Sequence, residues 1–124
     1  MSKIKAKDIP VVRQALLEKQ GGLCAVCMKT PVVPCLDHDH GTGKIRGVLC
    51  RGCNLFEGTI FNKHRRCQVT DLPSWLRQLA SYYDQHRQNP STSIHPTYLT
   101  QDEKIERRKR INKSRRKTKP KEQK

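Results

Sequence analysis

Two cysteine pairs, Cys24-x-x-Cys27 and Cys50-x-x-Cys53, are separated by 22 residues, and each can turn two thiolates toward one ion. Four sulfurs at about 2.3 Å match a closed tetrahedral Zn²⁺ site with no position left for water. The competing pairing is two disulfides, which a reducing compartment disfavours. Cys35 and Cys67 are left over and read as ordinary thiols. A zinc clamp would supply folding free energy that a small core lacks. It would also hold Asn54, the neighbour of Cys53, in a defined place relative to the segment upstream.

That upstream segment runs Leu36-Asp37-His38-Asp39-His40 and then Gly41-Thr42-Gly43-Lys44. Four potential ligands or bases in a row are hard to explain by core packing. Carboxylate oxygens suit a hard cation such as Mg²⁺ or Mn²⁺, and an imidazole can take a proton from water near neutral pH. Together they describe metal-assisted hydrolysis of a phosphodiester. Asp39 and Gly41 fit equally well a plainer role, shaping a turn. Strict strand alternation would send Asp37 and Asp39 to one face and His38 and His40 to the other. One site can therefore use both Asp37 and His38 only where the strand ends, twists or bulges.

The elements that must position these residues are short. The runs Cys35 to His38 and Ile45 to Leu49, joined by Gly-Thr-Gly, predict a β-hairpin. A lead-in helix precedes it, with Asp8 as cap, Pro10 in the first turn, an apolar stripe of Val12, Ala15, Leu16 and Leu17, and Gly21-Gly22 as its stop. From Asn54 to about Lys63 a second helix is expected, weakened by Gly58 and Thr59. Asn54 and Glu57 would share one face of it at i, i+3. The clearest helical periodicity covers residues 73 to 87, where Leu72, Trp75, Leu76, Leu79, Tyr82, Tyr83 and His86 recur at three- and four-residue steps. It reads as the main core helix. The organisation expected is a lead-in (1–23), a zinc-bound core (24–66), a helix and turn that could serve dimerisation (67–100) and a basic tail (101–124).

Twenty-six Lys and Arg against eleven Asp and Glu leave +15 on 124 residues, with 34% hydrophobic and 5% aromatic content. One small domain is expected, with a modest core. No apolar run approaches the roughly 20 residues that span a bilayer, and no apolar stretch follows Met1-Ser2-Lys3-Ile4-Lys5 as a secretion signal would require. A soluble, non-exported chain with a polyanionic partner is expected, and nucleic acid fits better than a membrane. Residues 101–124 hold twelve Lys/Arg and four Asp/Glu, so over half of the excess charge lies in the tail. Its apolar residues are only Ile105 and Ile111, which predicts a helix fading into disorder unless DNA or a second subunit orders it.

At these residues the sequence resembles the phage recombination endonuclease VII family, within the wider HNH or His-Me finger (ββα-metal) nucleases. Gly22-Leu23-Cys24-Ala25-Val26-Cys27, Leu36-Asp37-His38-Asp39-His40 and Gly43-Lys44-Ile45-Arg46-Gly47-Val48-Leu49-Cys50-Arg51-Gly52-Cys53-Asn54, followed by Glu57-Gly58, carry the resemblance. The fold it implies is a small α+β one, a zinc-stapled ββα-metal core with flanking helices and a basic C-terminal tail. It also implies that Asp37 and Asn54 ligate a catalytic Mg²⁺ or Mn²⁺, that His38 is the general base, and that His40 and Glu57 support the metal, phosphate or leaving group. Zn²⁺ on Cys24, Cys27, Cys50 and Cys53 would be structural, and the products would carry 5′-phosphate and 3′-hydroxyl ends. The family acts on branched DNA as a homodimer, in the cytoplasm of a phage's host. The loop ahead of Leu36 is short and Pro-rich, and the C-terminal part is abbreviated and more basic than the family pattern.

Arg46, Arg51, Lys63, Arg65 and Arg66 flank the expected site and could hold phosphates, and Arg107, Arg108, Lys109 and Arg110 in the tail could add sequence-independent affinity. With no base-reading array in view, recognition by DNA shape is the natural expectation. The leading reading is thus a Mg²⁺-dependent, structure-selective endonuclease acting on Holliday junctions or other branched or distorted duplex DNA. A free-standing HNH nicking or homing endonuclease is the alternative among enzymes. A non-catalytic zinc-dependent DNA-binding protein is the alternative outside them, and a basic RNA-binding protein would leave the Asp-His-Asp-His to Cys-Asn arrangement unexplained.

Overall fold

The computed structural model describes residues 3–118; Met1 and Ser2 of the lead-in and the last six residues of the basic tail lie outside the described residues. Two compact units divide the chain, one ending at Gln78 and the other starting at Leu79. The first unit holds α1 (Ile9–Lys19), β1 (Pro34–His38), β2 (Ile45–Cys50), α2 (Arg51–His64) and the start of α3 (Leu72–Gln88). The second holds the rest of α3 and α4 (Gln101–Thr118). The fold is a small α+β one.

Helix α1 stops as its sequence requires. Gly21 and Gly22 take φ of 69° and 76°, a region that disfavours residues with a Cβ. The Gly21 N–H reaches Glu18 O at 3.0 Å and the Gly22 N–H reaches Leu17 O at 2.8 Å, closing the last carbonyls. The expected Asp8 cap is not made. Asp8 ends a 3₁₀ turn, Ala6–Asp8, and its own backbone is already helical (φ −89°, ψ −12°), so its side chain makes no cap bond. A capping residue needs an extended backbone to fold its side chain over the first turn.

Strands β1 and β2 pair antiparallel, with Leu36 opposite Val48 and Asp37 opposite Gly47. The register then shifts, so that His38 faces Ile45 and Arg46 becomes the extra residue of a bulge. The turn beyond is built on Asp39, whose Oδ1 accepts from Gly41 N (2.9 Å), Thr42 N (2.7 Å) and Thr42 Oγ1 (2.9 Å). These bonds hold its carboxyl below the usual carboxylate range, the Thr42 N–H contributing most. Asp39 therefore takes the turn-shaping role.

Helix α2 follows β2 without a linker and begins three residues before Asn54. Cys50 occupies its N-cap with an extended backbone, and its Sγ accepts from the Cys53 N–H at 3.4 Å. Gly58 and Thr59 do not interrupt it, and Thr59 Oγ1 donates back to Leu55 O at 2.9 Å.

Among the described residues the apolar core is Cys24 (0% exposed), Val48 (0%) and Leu49 (4%), three side chains from the cysteine turn and β2. Helix α3, expected to be the main core helix, contains no buried residue. Trp75, Leu76, Tyr82 and Tyr83 are all exposed. Periodicity identifies an apolar stripe but not what covers it. In the second unit α4 starts with a reciprocal cap: Thr100 N donates to Glu103 Oε2 (2.7 Å) and Glu103 N to Thr100 Oγ1 (3.3 Å). Among the described residues, no helix is long and apolar enough to cross a membrane.

Candidate active site and metal centre

The four cysteines converge from three pieces of backbone. Cys24 and Cys27 lie on a tight turn in which the Cys24 N–H bonds Lys29 O (2.9 Å) and the Met28 N–H bonds Cys24 O (3.0 Å), with Met28 in the left-handed region at φ 58°. Cys50 ends β2 and Cys53 lies in the first turn of α2. All four Sγ atoms lie within 4.8 Å of one another, and Cys27 Sγ is 3.9 Å from Cys50 Sγ. A tetrahedron with arms of about 2.3 Å has edges of about 3.8 Å, so the sulfurs fit one Zn²⁺. Disulfide sulfurs would stand about 2.05 Å apart; all six cysteines are free thiols.

The surroundings favour thiolate at one ligand and oppose it at another. Burial raises the Cys24 thiol, but N–H groups of Cys27, Cys50 and Val26 outweigh it and bring the value down to about 6. Cys53 is pushed up to about 12, first by its hydrogen bond to Cys50, then by burial and the other sulfurs. Clustered thiolates repel, and a dication is the group that lets all of them ionise.

One residue that locks this assembly carries no signal in the sequence. Gln20, just past α1, turns its side-chain amide onto the outer edge of β2: Nε2 donates to Val48 O (2.9 Å) and Leu23 O (2.9 Å), and Oε1 accepts from Val48 N (2.8 Å). The side chain thus substitutes for a neighbouring strand. Gly47 leaves room beside it: a Cβ there would lie 2.9 Å from Gln20 Oε1, so the bonded amide would have to shift.

Asp37, His38, His40 and Asn54 line one open cleft of about 350 Å³, together with Leu36, Leu55, Gly58, Thr59 and Asn62. The cleft lies between the end of β1 and α2. Two features let Asp37 and His38 face it together: β1 ends at His38, and the register shifts between those two residues. Asp37 is 6% exposed, and a carboxylate so buried needs a positive partner. Arg46 supplies it, with Nε to Oδ2 at 2.8 Å and Nη2 to Oδ1 at 3.0 Å. The same Nη2 lies 3.0 Å from Glu57 Oε1, and these bonds, that to Asp37 foremost, raise the Arg46 pKa. Each Asp37 oxygen keeps a lone pair, and Asn54 adds an amide oxygen, so the donor set on the cleft suits a hard cation.

Glu57 does not line the cleft. Its Oε2 lies 3.6 Å from His40 Nε2. His40 in turn stacks on His38 (ring centroids 5.2 Å) and on Phe61 (4.8 Å), and Phe61 meets His64 at 5.1 Å. Phe61 and Asn62 belong to no motif legible in the sequence. Their signal is the spacing Asn54, Glu57, Gly58, Phe61, Asn62, Arg65, which is one face of a helix once α2 is carried past Gly58.

Of the basic residues, Arg65 borders a second hollow with His40, Phe61 and Asn62. Arg51, Lys63 and Arg66 are exposed on or just beyond α2, whereas the Arg46 guanidinium is turned onto Asp37 and Glu57. In the second unit Arg107, Arg108, Lys109 and Arg110 lie exposed on α4, where Lys109 pairs with Glu106 at 2.8 Å.

The model of the recombination endonuclease VII family matches residues 3–85, more than half of the chain and the whole of the cysteine cluster and cleft. The chain belongs to the recombination endonuclease VII family. Two phage proteins are similar over a shorter stretch. The Gene 59 protein of Mycobacterium phage D29 is 42% identical over 45 residues, covering 34% of this chain and 27% of that protein. The Gene 59 protein of Mycobacterium phage L5 is 41% identical over 44 residues, covering 33% and 27%. The matched stretch thus spans about a quarter of each relative's length. In this endonuclease VII family member α4 lies wholly beyond the residues that the family model matches.

Proposed function

We propose that this chain is a divalent-metal-dependent, structure-selective DNA endonuclease that hydrolyses phosphodiesters in branched DNA, four-way (Holliday) junctions included. One observation carries this reading: a strand, strand, helix order pinned by four clustered sulfurs, with Asp37, His38, His40 and Asn54 around one cleft, in a member of the endonuclease VII family. On this reading β1, β2 and α2 are a ββα-metal, or His-Me finger, core of HNH type.

Zn²⁺ on Cys24, Cys27, Cys50 and Cys53 is structural, because four thiolates leave no open position. Asp37 and Asn54 hold a catalytic Mg²⁺ or Mn²⁺, which supplies charge stabilisation at the phosphate and its leaving oxygen. His38 takes the proton from the attacking water, whose oxygen bonds phosphorus as the bond to the 3′ oxygen breaks. That oxygen leaves protonated by solvent, giving 5′-phosphate and 3′-hydroxyl ends. His40 steadies the His38 ring by stacking, and Glu57 tethers Arg46 and lies beside His40. The exposed cations Arg51, Lys63, Arg65 and Arg66 hold flanking phosphates. Cutting paired strands of a junction calls for two active sites, and the uncovered apolar stripe of α3 is the natural surface for a homodimer.

The test is cleavage of a four-way junction beside a linear duplex of the same arms, with Mg²⁺ and with chelator. Junction-selective, Mg²⁺-dependent cutting lost in His38→Ala and Asn54→Asp is expected. Equal rates on both substrates would point instead to a free-standing HNH nicking or homing enzyme. Binding without any cleavage would leave a zinc-dependent DNA-binding protein.

A further inference from the structure

Arg46 is the bulge residue of β2, and the bulge aims it at Asp37 rather than along the strand face. Its grip is bidentate, at 2.8 and 3.0 Å, on a carboxylate that is 6% exposed, while its own side chain is 38% exposed. A planar guanidinium fits a phosphate as well as it fits a carboxylate, and its stem is long enough to change partner. A divalent cation on Asp37 would share that carboxylate with the guanidinium, and two positive groups a few ångströms apart, partly shielded from water, repel strongly.

We propose that Arg46 is a positioning residue that guards Asp37: it competes with the divalent cation for the carboxylate in the DNA-free protein and passes its guanidinium to a backbone phosphate when DNA enters the cleft. The inference rests on Asp37 and Asn54 being the cation holders, and it adds regulation to that site. Cation and DNA binding are then coupled, and by linkage each raises the affinity of the other by the same factor. Glu57, 3.0 Å from Arg46 Nη2, keeps the guanidinium at the rim once Asp37 is released.

The experiment measures Mn²⁺ binding to the full-length, zinc-loaded protein by electron paramagnetic resonance. A His38→Ala background keeps DNA intact, and Asp37→Asn supplies the non-site background, with and without a four-way junction. In the DNA-free protein, Arg46→Gln is expected to raise the Asp37-dependent Mn²⁺ affinity at least tenfold. The stimulation by DNA should shrink toward onefold. Arg46→Lys, which keeps the charge but not the fork, should fall between, and it decides the question if Arg46→Gln loses zinc. Asp37-dependent binding that is unchanged or weaker in both variants overturns the inference alone. Absence of any Asp37-dependent Mn²⁺ binding overturns it together with the cation assignment.

Discussion

The side-chain amide of Gln20 holds both backbone groups of Val48, accepting from its N–H at 2.8 Å and donating to its C=O at 2.9 Å. Val48 is fully buried, so its N–H has no water to turn to. Gln20→Ala should cost about 1–3 kcal/mol, the range for stranding a buried backbone group. Gly47→Ala, which pushes a Cβ against Gln20 Oε1, should cost a similar amount. Because both act on the same pair of hydrogen bonds, the double variant should lose less than the two singles together, as urea unfolding of all four proteins would reveal.

Zinc should be stoichiometric, one ion per chain by elemental analysis. Removing it with a strong chelator, or changing Cys24 or Cys50 to Ser, should unfold the first unit, since among the described residues only Cys24, Val48 and Leu49 form its apolar core. Retained native circular dichroism after complete zinc loss would contradict this.

His38→Ala should lower single-turnover cleavage about 10²- to 10⁴-fold, the usual worth of a general base, while junction affinity stays near wild type. Phe61→Leu removes the ring on which His40 stacks but keeps its bulk. A loss of roughly tenfold or less is expected there, in line with about 0.5–1.5 kcal/mol for an aromatic pair.

Glu103 is held below the usual carboxylate range, first by the Thr100 N–H and then by its hydroxyl. The folded value lies below the unfolded one, so the cap on α4 is fully present above about pH 4.3 and is lost as pH falls through the folded value. The Thr100 amide proton, followed by NMR, should titrate with a midpoint below about 4.3, the ordinary value for Glu. Glu103→Gln should abolish that titration.

Changing Arg107, Arg108, Lys109 and Arg110 together to Gln should weaken binding to junction and duplex alike. The slope of log K against log salt should fall by about 0.9 for each phosphate that α4 no longer neutralises. An unchanged slope would show that α4 lies off the DNA.

Residue type and spacing alone marked out the candidate site: two Cys-x-x-Cys pairs, the run Asp37 to His40, Asn54 and Glu57 one helical turn apart, and a helix end at Gly21-Gly22. Such signals are local, because ligand chemistry, turn conformation and helical period each depend on a few neighbouring residues. Other features required the folded chain. The bulge that turns Arg46 onto Asp37, the Gln20 amide that closes the edge of β2, and the column from His38 through Phe61 join residues distant in sequence. The exposure of α3 belongs with them, since an apolar stripe is written in one helix but its cover must come from elsewhere. Register and burial are properties of pairs of elements, and no single stretch of sequence contains both partners.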